Sequence, residues 1–426
     1  MKLEIHILQN FASSNLNRDD TGTPKDCEFG GVRRARVSSQ CLKRAMRDAF
    51  ESHALVPAEH RAARTKRLVE QAAAIIVAKK TVDPERARAA VAAALAGATI
   101  KADPDKDWKT QYLLFVPSRV VNDLADLVVK HFEALSPEPE PKPAAGEDGG
   151  EKPARKATAK QAKAAAKDTV PQDVVKEVER ILSDAARTPD LALFGRMIAD
   201  KQNWNVDAAC QVAHAVSTHR VSMEFDFYTA IDDLKKNDTA GSDMMGTISF
   251  NSACFYRYLV VDTDALTKNL GGDEPARAQA RETLAALVRA AVIAIPSGKQ
   301  NSMAAHNLPS FVLVDVREGA ESRSLTNAFV DPVRPKAGEA GDLVSQSIDK
   351  LGKHLAALET VYGAKGRKDY PGGGPDGKDL KGPFFIAVGE SAKVGKAFAD
   401  LTTATDLVSL ERLIKASVDA ACGGAA

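Results

Sequence analysis

An α+β fold is predicted, because segments with strand periodicity and segments with helix periodicity mix along the chain without strict alternation. Three stretches carry that expectation. From Lys2 to Leu8, apolar Leu3, Ile5 and Ile7 fall on one side of an extended chain. From Ala54 to roughly Lys201 the sequence turns to Ala-rich, charged helix formers, as in QAAAIIVAKKTVDPERARAAVAAALAG. After Ala208 strand-like patterning returns, with alternation at Val221, Met223, Phe225 and Phe227 and again at Ile248 and Phe250.

In order, the first strand leads into a polar, turn-rich loop, NFASSNLNRDDTGTPKDCEFGG, and then into a second strand at Val32 to Ser38. Side chains alternate along a strand, so Arg34, Arg36 and Ser38 should share a face. Ser38 or Ser39 is a suitable N-cap for a helix running to about His53. The helical block is interrupted at Ser136 to Thr169 by a stretch rich in Pro, Ala, Lys and Glu that lacks aromatic and branched aliphatic residues. That composition predicts a disordered loop. The turn-rich NDTAGSD, Asn237 to Asp243, makes 221–252 an extended arm or hairpin. A strand (253–261), a helix (276–294), a strand (311–316), a helix (343–361), a Gly/Lys loop, a strand at PFFIAVGE and a terminal helix (about 406–421) complete the chain. At 426 residues, two folding units or one domain with a large insertion are expected.

Charge and cysteine content narrow the function classes. With 58 basic and 57 acidic residues there is no general basic coat, so a polyanion must be held by local clusters. MKLEIHILQN has no apolar h-region and no run reaches membrane-spanning length, which predicts a cytoplasmic protein with no membrane partner. Five scattered cysteines without a CxxC indicate reduced thiols and neither a disulfide framework nor a zinc knuckle. There is no Gly-rich phosphate motif and no internal repeat, and no cofactor is expected.

Against this neutral background, GVRRARVSSQCLKRAMR (Gly31 to Arg47) holds six basic residues in seventeen positions and no acid. On a helical wheel Gln40, Lys43, Arg44 and Arg47 lie opposite Cys41, Leu42, Ala45, Met46, Ala49 and Phe50. Such a face is most often merely solvated. Six cations without an acid repel one another, however, unless an anion arrives. Cations, Ser and Gln hydroxyl and amide groups, and the free amides of a helix N-terminus together suit phosphates.

LNRDD (Leu16 to Asp20), KDCEFGG (Lys25 to Gly31), RRARVSSQCLKRAMR, AHAVSTHRVSMEFDFYTAIDDL (Ala213 to Leu234), FYRY, IPSGKQ and TNAF closely resemble, in order, the CasC backbone subunits of the type I-E CRISPR surveillance complex, Cascade, in the Cas-seven family. The resemblance implies a hand-like protein: an RRM-like (ferredoxin-like) palm, a large helical fingers insertion and a β-hairpin thumb. On this sequence the palm would take 1–53, 202–220 and 253–426, the fingers 54–201 and the thumb 221–252. It also implies several copies in a head-to-tail filament along one guide RNA (crRNA), alongside other Cascade subunits, presenting the guide to target DNA.

Where motifs match, the resemblance assigns guide-backbone contacts to Arg18, Lys25, Ser38, Gln40, Lys43, Arg47 and Lys299; Arg34, on the preceding strand, joins them as a candidate. It assigns base packing to Met197, a thumb position to Thr229, and to Met245 the apolar wedge that displaces one base at regular intervals. The Lys-containing glycine loop (Lys365, Arg367, Lys368, Lys378, Lys381) is either a further polyanion contact or, as preferred, a solvated loop.

Two catalytic alternatives exist. His214 and His219 near Glu224 and Asp226 lack the helical spacing of a metal pair, and orienting the thumb base suits them better. Asp19 and Asp20 flank a cationic loop and could assist metal-dependent RNA cleavage, as in type III backbone subunits; ion pairing within the loop explains them equally well. The type I-E resemblance implies a non-enzymatic chain with no catalytic or metal residues.

Overall fold

The computed structural model describes residues 1–136, 170–185, 187–198, 202–230, 244–334, 342–370, 379–380, 383–388 and 409–423. The expected disordered loop beyond Ser136, the thumb tip NDTAGSD, and Lys378 and Lys381 lie outside the described residues. Two compact units appear: Met1–Val56 with Ala208–Ala426, and Pro57–Asp207.

The first unit opens with β1 (Lys2–Ser14), β2 (Asp26–Phe29), β3 (Val32–Val37) and α1 (Ser39–Ser52). The second unit follows with β4 (Ala62–Thr65), α2 (Leu68–Lys80), α3 (Pro84–Gly97), β5 (Ala102–Asp103), β6 (Lys109–Thr110), β7 (Leu114–Pro117), α4 (Ser118–Lys130), α5 (Phe132–Leu135), α6 (Gln172–Asp184) and α7 (Pro189–Phe194). The chain then returns to the first unit with β8 (Cys210–Val212), β9 (Ala215–Ser217), β10 (Glu224–Ala230), β11 (Met244–Asp262), α8 (Thr263–Leu270) and α9 (Glu274–Ile293). It ends with α10 (Gln300–Met303), β12 (Phe311–Arg317), α11 (Leu343–Tyr362), β13 (Phe384–Ala387) and α12 (Leu410–Cys422).

The first unit is built on an antiparallel sheet in the order β13-β12-β1-β11-β9-β3-β2, with β8 and β10 also pairing with β11. Taken as β1-α1-β8-β11-α9-β12 along the chain, the central strands lie in space as β12-β1-β11-β8, each neighbour antiparallel. Both faces of β1 are covered. Leu3, Ile5 and Ile7 are fully buried on one face. The same face carries Gln9 and, on β11, Arg257, whose guanidinium donates to the Gln9 side chain at 2.5 Å and to the Ala291 carbonyl of α9 at 2.7 Å. Helix α9 in turn packs against α1 and α12. On the other face, Leu8, Tyr256, Tyr258 and Leu313 meet Ile348, Leu351 and Leu355 of α11.

That second face also buries polar side chains that the alternation in Lys2 to Leu8 does not announce. His6 Nδ1 lies 2.8 Å from the Tyr256 hydroxyl, and the Tyr258 hydroxyl donates to Glu4 at 3.0 Å. Asp315 accepts from Arg317 at 2.8 Å and from two Arg367 nitrogens at 2.8 and 2.9 Å. Burial alone would raise the Asp315 carboxyl, but the two guanidiniums hold it below its ordinary range. Arg367 therefore belongs to this buried network and not to a solvated loop.

The second unit is mostly helical. Small residues on facing helices, Ala72, Ala87, Ala90 and Ala94, are fully buried and share a core with Ile76, Leu95, Leu124 and Val178. Asp83 caps α3 by accepting from the Arg86 amide at 3.0 Å, with Pro84 at the first helical position. The sequence reads as purely helical here, yet β4 pairs with β7 and β5 with β6. Strands of two to four residues are too short to leave a period-2 signal. Among the described residues no helix is long and apolar enough to cross a membrane.

Burial pushes the His6 imidazole down to about 3, against an ordinary value of about 6.5. Below pH 6.5 the unfolded chain takes up a proton at this position that the folded chain refuses, so stability falls as pH drops. The expected slope from His6 is about 1.4 kcal/mol per pH unit, visible between pH 6.5 and about 5 before ordinary carboxylates titrate. His214, His219 and His354, also lowered by burial, add to it. His6→Gln should therefore flatten denaturant-derived stability against pH by roughly that amount. An unchanged slope would contradict the assignment.

Candidate nucleic-acid interface

Three separate segments of the first unit meet where β1 ends. The loop after β1 is fixed by its own hydrogen bonds. The Asn15 side chain donates to the Gly22 and Ser249 carbonyls at 3.0 Å each, and the Lys25 amide donates to the Asn17 carbonyl at 2.8 Å. The Asn17 side chain accepts from the Ser38 amide at 2.9 Å, tying this loop to the entrance of α1. Cys41 Sγ adds a contact to the Leu16 carbonyl at 3.8 Å. The third segment is Pro296–Lys299. A Cβ on Gly298 would stand 2.4 Å from the Leu16 carbonyl oxygen, so only glycine lets this loop lie against the first. Lys299 follows in the left-handed region, at φ 52°.

Helix α1 is as amphipathic as its sequence requires. Leu42, Ala45, Met46, Ala49 and Phe50 are buried. Ser38 caps the helix by accepting from the Cys41 amide at 3.4 Å. Gln40 is exposed, and Lys43 and Arg47 are half-buried on the outer side. Arg44 is engaged by Asp48 at 2.9 Å, one turn along. The convergence thus brings the loop that carries Arg18 and Lys25, and the loop that carries Lys299, to the entrance of α1, whose outer side bears Lys43 and Arg47.

Nearby titratable groups register these cations. His214 is lowered by burial first and then by Arg36 and Lys25. Its Nδ1 lies 3.1 Å from Arg36 Nη1, so this nitrogen accepts, because a guanidinium only donates. Burial raises the Cys41 thiol, and Lys25 opposes it; burial pushes Cys210 up to about 12, and Lys43 opposes that. Lys25 is thus near Cys41 in the first turn of α1, and Lys43 near Cys210 of β8. Arg36 and His214 belong to this surface, although the sequence placed Arg36 only on a strand face and read His214 as orienting the thumb base. The signal for Arg36 was its place in the basic block.

Arg34 corrects the expectation of a shared phosphate face on β3. It is fully buried, and its guanidinium donates to the carbonyls of Phe29 at 3.2 Å, Ser217 at 3.0 Å, Phe329 at 2.7 Å and Val330 at 3.3 Å. The cation ties β3 to β9 and to the 329–330 segment, and its donors are consumed there. Gly30, at φ 63°, permits the same approach, since a Cβ would collide with the Val330 carbonyl.

On the hairpin of β10 and β11, Thr229 and Met245 are register partners and both are exposed. Phe225 and Phe227 share that face by alternation, and they are exposed by 71% and 63%. The sequence marks them as the apolar side of a strand, whereas the hairpin leaves that side open. In the second unit Met197 is 87% exposed. The residue before it, Arg196, is anchored by donating to the Trp204 and Leu182 carbonyls at 3.0 and 3.2 Å.

Among the described residues no group of three or more His, Cys, Asp and Glu side chains is placed to hold a metal ion. Asp19 accepts from the Thr21 hydroxyl at 2.8 Å and from the Thr21 and Thr23 amides at 3.0 and 2.9 Å. These bonds, the hydroxyl's first, lower its carboxyl. Asp19 shapes its own turn.

Two arginines two residues apart should respond differently to substitution. Arg34→Met strands several buried carbonyls and should remove about 3 kcal/mol or more of stability, read by denaturant unfolding. Arg36→Ala should lower stability by less than about 1 kcal/mol and weaken polyanion binding instead. Equal stability losses would contradict this division.

Residues 3–371 match the family described as CT1975-like protein. No curated protein matches the sequence. A chain from a solved structure described as "CRISPR RNA-guided surveillance complex, pre-nicking" is 28% identical, with 99% of this chain and 100% of that one covered at a TM-score of 0.74. Another, from a "CRISPR RNA-guided surveillance complex", is 24% identical over 99% and 100% at a TM-score of 0.66, a likeness of fold. The family match runs through β1, α1, the β10–β11 hairpin and the 296–299 loop alike; the chain belongs to the CT1975-like protein family, of the Cas-seven type that its motifs resemble.

Proposed function

We propose that this chain is a guide-RNA-binding backbone subunit of a type I-E CRISPR surveillance complex, acting in the cytoplasm as a non-enzymatic scaffold. The observation that carries the reading is that the loop bearing Lys25 and the loop bearing Lys299 are both fastened at the entrance of α1, the helix whose outer side bears Lys43 and Arg47. Backbone phosphates satisfy such a surface; base edges are not needed to do so. The strand order β12-β1-β11-β8 supports reading the first unit as an RRM-like palm. RRM-type proteins commonly stack bases on the open sheet face. Here α11 covers one face and α1 with α9 the other, so the guide would run past the end of β1 instead.

In this reading several copies line up head-to-tail along one guide, alongside other subunits, because a heterologous contact that does not close propagates a filament. The β10–β11 hairpin acts as the thumb. Met245 supplies the wedge between bases, with Thr229 opposite it, and Met197 packs against bases. Thioether side chains suit this, since stacking asks for surface and not for hydrogen-bond fit. Sequence is then read by base pairing between guide and target DNA.

Lys43→Ala combined with Arg47→Ala should weaken binding to single-stranded RNA and make log affinity against log salt shallower by about 1.4, about 0.7 for each lost phosphate contact. Met245→Ala should leave that slope in place. If the double substitution binds with an unchanged slope, the palm does not hold the phosphates.

A further inference from the structure

The second unit carries a cationic concavity that neither the sequence motifs nor the guide interface accounts for. It is formed where the β5–β6 hairpin meets the start of α2. The Gln111 amide donates to the Lys101 carbonyl and the Thr110 amide to the Lys66 carbonyl, both at 2.9 Å, which fixes Lys66 and Lys101 on either side of this short crossing. A concavity of about 510 Å³ results, lined by Lys66, Lys101, Lys106 and Lys109 together with Gln111 and one carboxylate, Asp103. Lys106 is engaged by Asp103 at 3.2 Å, and Lys109 by Asp107 at 3.0 Å. Lys66 and Lys101 are exposed and have no carboxylate partner among the described residues.

With Lys106 and Lys109 engaged by Asp103 and Asp107, the two remaining ammonium groups, Lys66 and Lys101, flank a concave space without a counter-charge of their own, which an anion can supply. Ala102 and Pro104 are its apolar lining residues, too little for the aromatic and aliphatic walls of a small-molecule pocket or the apolar centre of a protein interface. Ammonium donors with one side-chain amide are the set that nucleic-acid backbones receive. We propose that this concavity is a second phosphodiester-binding site, separate from the one at α1, and that Lys66 and Lys101 are its principal contacts. The proposal rests on reading the chain as a nucleic-acid binder. Either strand of a guide–target pair offers the required chemistry.

The test uses the full-length protein, with single-stranded RNA in one arm and a preformed hybrid of that RNA with complementary DNA in the other. Binding is titrated between about 50 and 200 mM salt, where phosphate contacts dominate the dependence. Lys66→Gln with Lys101→Gln should make the salt slope shallower by about one to two units, with an unchanged melting temperature. A loss in both arms assigns the site to the guide strand, and a loss in the hybrid arm alone assigns it to the target strand. Unchanged slopes in both arms, while Lys43→Ala with Arg47→Ala still loses slope, overturn this proposal alone. A parent protein that binds neither probe overturns this proposal and the reading beneath it.

Discussion

Strand β1 is bonded on both edges and covered on both faces, and the first unit is organised around that constraint. Residue by residue from Lys2 to Leu8 it pairs with both β11 and β12. Burying both faces obliges the inner polar groups to find partners, because an unpaired buried polar atom is expensive. His6 therefore takes Tyr256, Glu4 takes Tyr258, and Asp315 takes Arg317 and Arg367. A strand held this firmly delivers its last residues to a fixed point. Asn15 and Asn17, just past its end, fasten the loop whose cations face the start of α1.

The same constraint explains why the candidate interface lies beside the sheet. With both faces filled, the exposed polar groups left near β1 are those of its trailing loop, the N-terminus of α1 and the loop held close by Gly298. Charge is sorted accordingly. Arg34 is consumed by four carbonyls in the interior, Arg44 is engaged by Asp48 on the surface, and Arg36 donates to the Asp26 carbonyl and lies against His214. The cations of the Gly31 to Arg47 block thus perform at least three different tasks.

Much of this was legible in the sequence. The alternation of Leu3, Ile5 and Ile7 marked β1, the wheel of Gln40, Lys43 and Arg47 against Leu42 and Met46 marked the outer face of α1, and its cap was narrowed to Ser38 or Ser39, of which Ser38 is the one used. These signals are local, and local periodicity survives folding when one face is buried. The fate of Arg34 was not legible, since it is decided by Ser217, Phe329 and Val330, about 180 to 300 residues away. Nor was the approach of Gly298 to Leu16, a contact between a short loop and a backbone carbonyl. Phe225 and Phe227 misled in the opposite sense. Their alternation signals a strand, but alternation carries no information on whether anything covers the apolar side.

In the proposed function, many copies of this chain coat an intact RNA through its phosphates. A mobility-shift titration on a long single-stranded RNA with magnesium, with the RNA recovered on a denaturing gel, tests it most directly. A scaffold gives a ladder of evenly growing complexes and full-length RNA at the end. RNA cut at regular intervals would contradict it, and would turn attention to Asp19 and Asp20.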